Sequence, residues 1–78
     1  IYRMRGARGD VLYVGKSRNI RTRLLSYFRL PWPEHRHARL VREAAHIEWE
    51  EAPSEFAALL RETRLIRAHL PPYNRKGA

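Results

Sequence analysis

The sequence predicts a small α/β domain of the α+β type, in which three short strands form an antiparallel sheet flanked by helices. Two observations lead to this prediction. Short β-branched, aromatic and aliphatic runs stand on either side of a glycine-containing loop, which is typical of a β-hairpin. Apolar residues farther along the chain recur at helical spacing. The 78 residues suffice for one domain with a thin core.

The predicted hairpin pairs residues 1–5 with residues 11–14. Its loop is Gly6-Ala7-Arg8-Gly9, and the two glycines can supply positive φ angles. With this loop, Tyr2 faces Tyr13 directly across the ladder, so the two phenols stand side by side on one face of the sheet. Aromatic packing and a shared site both fit this pair.

A helix is predicted directly after the hairpin. Gly15 lets the backbone turn without a Cβ clash, and Asn19 is the expected N-cap. Arg23 lies beside the apolar face, four residues before Tyr27. That face recurs at i, i+4, i+7 and i+8 and consists of Ile20, Leu24, Tyr27 and Phe28.

A proline-rich loop is predicted over residues 30–37, because two prolines exclude a helix interior. Trp32 in this loop either covers the core or stacks on a base. His35 and His37 suggest a metal pair, but solvated histidines are the favoured interpretation since the loop brings no further ligand. A short helix is expected over residues 38–45.

A third strand is predicted where the apolar period changes from helical spacing to two. In residues 47–50, Ile47 and Trp49 share one face, which we expect to be half-buried. The glutamates of this segment, with Glu51, are expected to be solvated and outside any site.

The last helix is predicted to begin at Pro53-Ser54-Glu55 and to end near His69. Glu62 on this helix has apolar neighbours one turn before and after it, so its carboxylate should lie at the rim of a buried face. Such a carboxylate needs either an arginine partner or a metal ion. The predicted core stripe is Phe56, Leu59, Leu60, Thr63 and Ile66.

Composition favours a nucleic-acid partner. The formal net charge is +8 and the pI is near 11.1, and most cations are arginines, whose planar guanidinium suits phosphate oxygens. The chain has no cysteine, which excludes disulfides and thiolate metal sites. No apolar run approaches the ~20 residues of a membrane span. Because the chain begins at Ile1 inside a strand, we expect a fragment of a longer protein.

Seven polar positions, in this order, resemble the active site of the GIY-YIG nuclease family. Ile1-Tyr2 stands where the first family motif ends, and Tyr13-Val14-Gly15 is the second motif with Val in place of Ile. Within the family, the chain is similar to the N-terminal incision domains of bacterial excision-repair proteins of the UvrC and Cho type and their exonuclease-fused relatives. The matching residues are Tyr2, Tyr13, Lys16, Arg23, Tyr27, Glu62 and Asn74.

The resemblance implies an endonuclease that hydrolyses a DNA phosphodiester in nucleotide excision repair or a related pathway. It implies one Mg²⁺ or Mn²⁺ ion with Glu62 as protein ligand. Tyr13 would be the general base, its phenolate favoured by Lys16, Arg23 and the metal. Arg23 would also stabilise the transition-state phosphate. Tyr2 and Tyr27 would position water or phosphate oxygens, and Asn74 would orient the site. DNA contacts are expected from Gly15, Lys16, Arg18, Arg21 and Arg23.

The family also implies a cytoplasmic monomer that works with other domains of its own longer chain and with repair proteins, away from membranes. A catalytically inactive DNA-binding module of the same fold, which anchors a neighbouring domain, is the alternative. An RNA-binding domain is a third hypothesis. The intact set of Tyr13, Arg23 and Glu62 favours the nuclease.

Overall fold

The computed structural model describes residues 1–75, which form an antiparallel sheet with helices on both faces. Strands β1 (Tyr2–Arg5), β2 (Val11–Gly15) and β3 (His46–Trp49) lie in the order β2-β1-β3. The helices are α1 (Ile20–Tyr27), α2 (Arg36–Glu43) and α3 (Glu55–His69), followed by a short 3₁₀ helix (Pro72–Asn74). The predicted fold class is confirmed. None of the helices within residues 1–75 has the length and apolar character needed to cross a bilayer.

The hairpin register differs from the prediction. Tyr2 pairs with Gly15, and Met4 pairs with Tyr13, after which a bulge leaves Leu12 without a partner in the ladder. The partner of Tyr2 is therefore two residues beyond Tyr13, the predicted partner. Because side chains alternate with period two, this shift keeps both phenols on the same face, and their ring centroids are 6.1 Å apart.

Two apolar clusters cover the two faces of the sheet. The first lies under α1 and α2 and consists of Tyr2, Met4, Leu12, Tyr27 and Leu40. The second lies under α3 and consists of Ile1, Val11, Val14 and Leu65. Strand β2 thus contributes buried residues to both clusters. The central strand β1 is buried on the face of Tyr2 and Met4, and its other face carries the half-buried Arg3 and Arg5.

The packed face of α3 is not the predicted one. Phe56, Leu59 and Leu60 are 69%, 45% and 43% exposed. Leu65 is buried instead, and Ala58 packs beside it. Of the predicted stripe, Ile66 does pack against this cluster. The helix carries apolar residues on more than one face, so periodicity alone could not determine which face meets the sheet.

Three further apolar residues are more exposed than predicted. Phe28, the C-cap residue directly after α1, is 71% exposed. Ile47 and Trp49 are 36% and 67% exposed, since the helices pack on β1 and β2 and leave the edge strand β3 uncovered.

Gly15 allows a close approach of Tyr2 to the end of β2. A Cβ atom on Gly15 would lie 2.6 Å from both Cζ and Oη of Tyr2 and 2.9 Å from Cε2 of Tyr13. Within residues 1–75 the glycine with positive φ is Gly9, at 84°. The glycine at position 15 is therefore required for packing rather than for a left-handed turn.

We predict that Gly15→Ala destabilises the domain by about 1–3 kcal/mol, because the new methyl group must displace the buried Tyr2 ring. Gly9→Asn is the matched control, since nothing lies within 4 Å of a Cβ there and Asn tolerates positive φ. Urea unfolding measures both free energies. Equal stability of Gly15→Ala and the wild type would contradict the packing role.

Candidate active site

Three tyrosines from three elements meet at one end of the sheet. Tyr2 on β1 and Tyr27 on α1 are buried, and their hydroxyl groups share a hydrogen bond of 2.7 Å. Tyr13 on β2 is half-buried beside Tyr2. The structure thus brings together the three phenols that the sequence predicted for the site.

Burial keeps the phenols of Tyr2 and Tyr13 protonated at neutral pH. Burial, together with the hydrogen bond to Tyr27, raises the pKa of Tyr2 far above its ordinary value. Burial chiefly raises the pKa of Tyr13 to about 12, and the nearby Tyr27 and Glu62 add to the increase. Neither Lys16 nor Arg23 is among the groups that shift the pKa of Tyr13. The expectation that these two cations favour its phenolate stays a prediction.

Glu62 lies on the packed side of α3, close enough to Tyr13 for its charge to act on the phenol. It is half-buried, and Ala58 and Ile66, one turn away on either side, pack against the sheet. None of the salt bridges formed within residues 1–75 involves Glu62. Of the two partners expected for this carboxylate, the arginine is therefore not found in the described part of the chain.

Asn74 is bound to the edge of β2 beside Tyr13. Its Oδ1 atom accepts a hydrogen bond from the Val14 amide, and its Nδ2 group donates one to the Val14 carbonyl, both at 2.9 Å. The side-chain amide supplies the two bonds that a neighbouring strand would make. The expected return of the C-terminal turn over the site is confirmed, and it fixes the backbone next to Tyr13.

The predicted DNA-contacting cations lie on the turn after β2 and on α1. Lys16, Arg21 and Arg23 are exposed and take part in none of the salt bridges of residues 1–75. Arg18 is paired with Glu55, but both side chains are largely exposed, so the pair contributes little stability. Gly15 is buried under Tyr2, and we assign it to packing.

Comparison with known proteins identifies the family. The profile of the UvrC-like GIY-YIG domain matches residues 1–75. The chain belongs to the UvrC-like GIY-YIG family. This confirms the resemblance seen in the sequence.

Relatives and solved structures agree with this assignment. UvrABC system protein C of Hahella chejuensis is 49% identical over 74 residues, which make up 95% of this chain and 12% of that protein. The homologue from Sphingopyxis alaskensis is 46% identical over 74 residues, with the same coverage of 95% and 12%. The chain therefore spans about an eighth of the length of these relatives.

Crystal structures of the N-terminal GIY-YIG endonuclease domain of UvrC from Thermotoga maritima have the same fold. A tyrosine-to-phenylalanine mutant bound to its catalytic divalent cation matches with a TM-score of 0.82 and 29% identity, covering 96% of this chain and 80% of that one. The magnesium-bound domain matches with a TM-score of 0.79 and 29% identity, covering 95% and 80%.

His37 is a residue of this UvrC-like GIY-YIG domain that the sequence analysis placed in a solvated loop. Helix α2 begins two residues earlier than predicted, at Arg36, with His35 as its N-cap. His37 therefore lies in the first turn, and its ring contacts Tyr13 and Tyr27. The sequence did contain a signal for a packed position here. His37 continues the apolar spacing of Leu40, Val41 and Ala44 by one turn toward the N-terminus.

Arg36 is a second residue that sequence reasoning missed. Its Nη2 group donates hydrogen bonds to the carbonyl oxygens of Tyr73 and Arg75. The hydroxyl group of Tyr73 in turn donates to Glu43 at the other end of α2. These bonds attach the C-terminal turn to α2 and so hold Asn74 against β2.

We predict that Asn74→Ala costs about 1–3 kcal/mol of stability, because two backbone groups of Val14 lose their partners. Hydrogen exchange at the Val14 amide should accelerate. Asn74→Asp keeps the acceptor and loses the donor, so its stability should be intermediate. Arg75→Ala is the neighbouring control. If Asn74→Ala unfolds at the same urea concentration as that control, the amide does not fix β2.

Proposed function

We propose that this domain is a metal-dependent DNA endonuclease that hydrolyses a phosphodiester bond. The observation that carries the proposal is the convergence of Tyr13 and Glu62 at the end of β2, with Asn74 bound to the same strand. The Thermotoga domain supports it, since that protein is described as an endonuclease bound to a catalytic divalent cation. Point mutants of that domain change tyrosines to phenylalanine and an asparagine to alanine, the residue types found here.

The donor groups of this site fit a single hard cation. Glu62 is half-buried and outside the salt bridges of the described residues. No group of three or more His, Asp or Glu side chains within residues 1–75 could hold a metal. A site with one carboxylate and otherwise water ligands suits Mg²⁺, which gives up its waters reluctantly. Glu62 is therefore our candidate ligand for Mg²⁺ or Mn²⁺.

Each side chain around Glu62 can take a separate role in the hydrolysis. When bound, the cation supplies positive charge that stabilises the phosphate and favours ionisation of nearby water and phenol groups. Tyr13 is our candidate acceptor for the proton of the attacking water, a role that requires its pKa to fall from about 12. Tyr2 and Tyr27, joined by their hydrogen bond, fix the position of β1 relative to α1 beside the site. Arg23 stabilises the phosphate as its charge increases.

The charge distribution supports DNA as the substrate. Exposed cations lie on the turn after β2 and on α1, the helix that also carries Tyr27 of the tyrosine cluster. On the opposite side, the arginines of β1 and one arginine of α3 are paired with glutamates: Arg3 and Arg5 pair with Glu48, and Arg61 pairs with Glu50. A phosphate backbone should therefore bind on the α1 side.

We further propose that the domain acts in nucleotide excision repair in the cytoplasm, within a longer chain. The relatives that it matches are named UvrABC system protein C, and the chain spans 12% of their length. Choice of the lesion and strand would then rest with the other domains and with repair partners.

Nicking of supercoiled plasmid tests the proposal. The domain with Mg²⁺ or Mn²⁺ should nick DNA, and chelation should stop the reaction. Glu62→Gln should abolish nicking and weaken metal binding by calorimetry, while DNA mobility shifts persist. Its stability should stay within about 0.5 kcal/mol of the wild type, because the described residues offer no arginine partner that the change would leave unpaired. Glu51→Gln, on an exposed acid outside the site, is the matched control.

Each alternative gives a different result. A wild-type domain that shifts DNA without nicking it would favour the inactive binding module. Preference for RNA over duplex DNA at fixed salt would favour an RNA-binding domain. A loss of roughly 3 kcal/mol in Glu62→Gln would indicate a buried ion pair at this residue.

A further inference from the structure

His37 lies outside the proposed machinery, and its ring contacts two of the phenols, Tyr13 and Tyr27. We propose that His37 is a positioning residue: its imidazole ring bridges the rings of Tyr13 and Tyr27 and holds β2 and α1 at the separation that cleavage requires. This inference rests on the proposed endonuclease function.

The ring contacts are specific in distance and angle. The centroids of His37 and Tyr13 are 5.4 Å apart in an edge-on arrangement, at 64° between planes. Those of His37 and Tyr27 are 4.8 Å apart, at 41°. Both distances lie in the range where aromatic pairs attract each other. One residue of α2 therefore contacts both the strand that carries Tyr13 and the helix that carries Tyr27.

The backbone of His37 is itself fixed. Nδ1 of His35 accepts a hydrogen bond from the His37 amide at 3.1 Å and caps α2. Leu40, three residues on, is fully buried in the cluster that contains Tyr27. Arg39 donates hydrogen bonds to the carbonyls of Pro33 and Glu34, at 2.7 and 3.1 Å, which hold the preceding loop. The imidazole ring is thus presented from a well-anchored helix start.

The electrostatic surroundings favour an uncharged ring. Burial lowers the pKa of His37, and the positive charges of Arg36, His35 and Arg23 lower it further. The side chains of Tyr13 and Tyr27 face the ring. Among the hydrogen bonds of residues 1–75, none joins the His37 imidazole to a tyrosine hydroxyl, and the hydroxyls of Tyr2 and Tyr27 bond to each other. The contact of His37 with the site is therefore packing rather than proton transfer.

Two substitutions at His37 distinguish a packing role from a role in proton transfer in the nicking assay. His37→Ala removes the ring and should lower kcat by about tenfold or more, because small displacements of reacting groups are costly. KM should change by less than about twofold, since the DNA-contacting cations remain. His37→Phe keeps a ring of similar size and should retain kcat within about threefold. His69→Ala, at the exposed end of α3, is the matched control.

A second measurement needs neither metal nor DNA. At pH 11 roughly a tenth of a phenol with a pKa of about 12 is ionised. Tyrosine NMR, assigned with Tyr13→Phe and with folding monitored by circular dichroism, should show Tyr13 much more ionised in His37→Ala. In His37→Phe the ionised fraction should match the wild type.

The outcomes are decisive. A His37→Phe variant as slow as His37→Ala would indicate a chemical role for the imidazole and overturn the positioning proposal. Unchanged kcat and unchanged Tyr13 ionisation in a folded His37→Ala would overturn it as well. If the wild type fails to cut DNA, the proposed function fails, and Tyr13 ionisation alone then decides whether His37 holds the phenol.

Discussion

The hydrogen bond between the buried hydroxyl groups of Tyr2 and Tyr27 is the constraint on which the rest of the site depends. A buried hydroxyl without a partner is costly, and these two satisfy each other at 2.7 Å. The bond joins the central strand to α1, and Gly15 leaves the space in which the Tyr2 ring lies. With β1 and α1 fixed in this way, Tyr13 on the neighbouring strand lies beside Tyr2, with the ring centroids 6.1 Å apart.

Charge is separated between the two sides of the domain. Glutamates at and just after β3 pair with arginines of β1 and α3, and those arginines lower the pKa of Glu48 and Glu50. Exposed pairs of this kind add little stability. They cancel positive charge at Arg3, Arg5 and Arg61, whereas Lys16, Arg21 and Arg23 beside the site take part in none of the salt bridges of residues 1–75. These cations would orient an approaching polyanion toward the site.

Much of this arrangement could be predicted from the sequence because local signals were strong. The N-cap at Asn19, whose Oδ1 accepts from Thr22, and the return of Asn74 follow from residue type and position. The register of the hairpin could not be predicted, because a shift of two residues satisfies the same alternation. The buried face of α3 depends on which apolar stripe meets the sheet. His37 was missed because its role arises only when α2 packs against α1 and β2.

The central claim is that a divalent cation binds at Glu62 beside Tyr13. Crystals soaked in Mn²⁺ and measured at the manganese absorption edge test this most directly, since the ion itself produces the anomalous peak. We predict one peak within coordination distance of a Glu62 oxygen, with water completing the shell. A peak at His35 and His37, with none at Glu62, would contradict the proposed site.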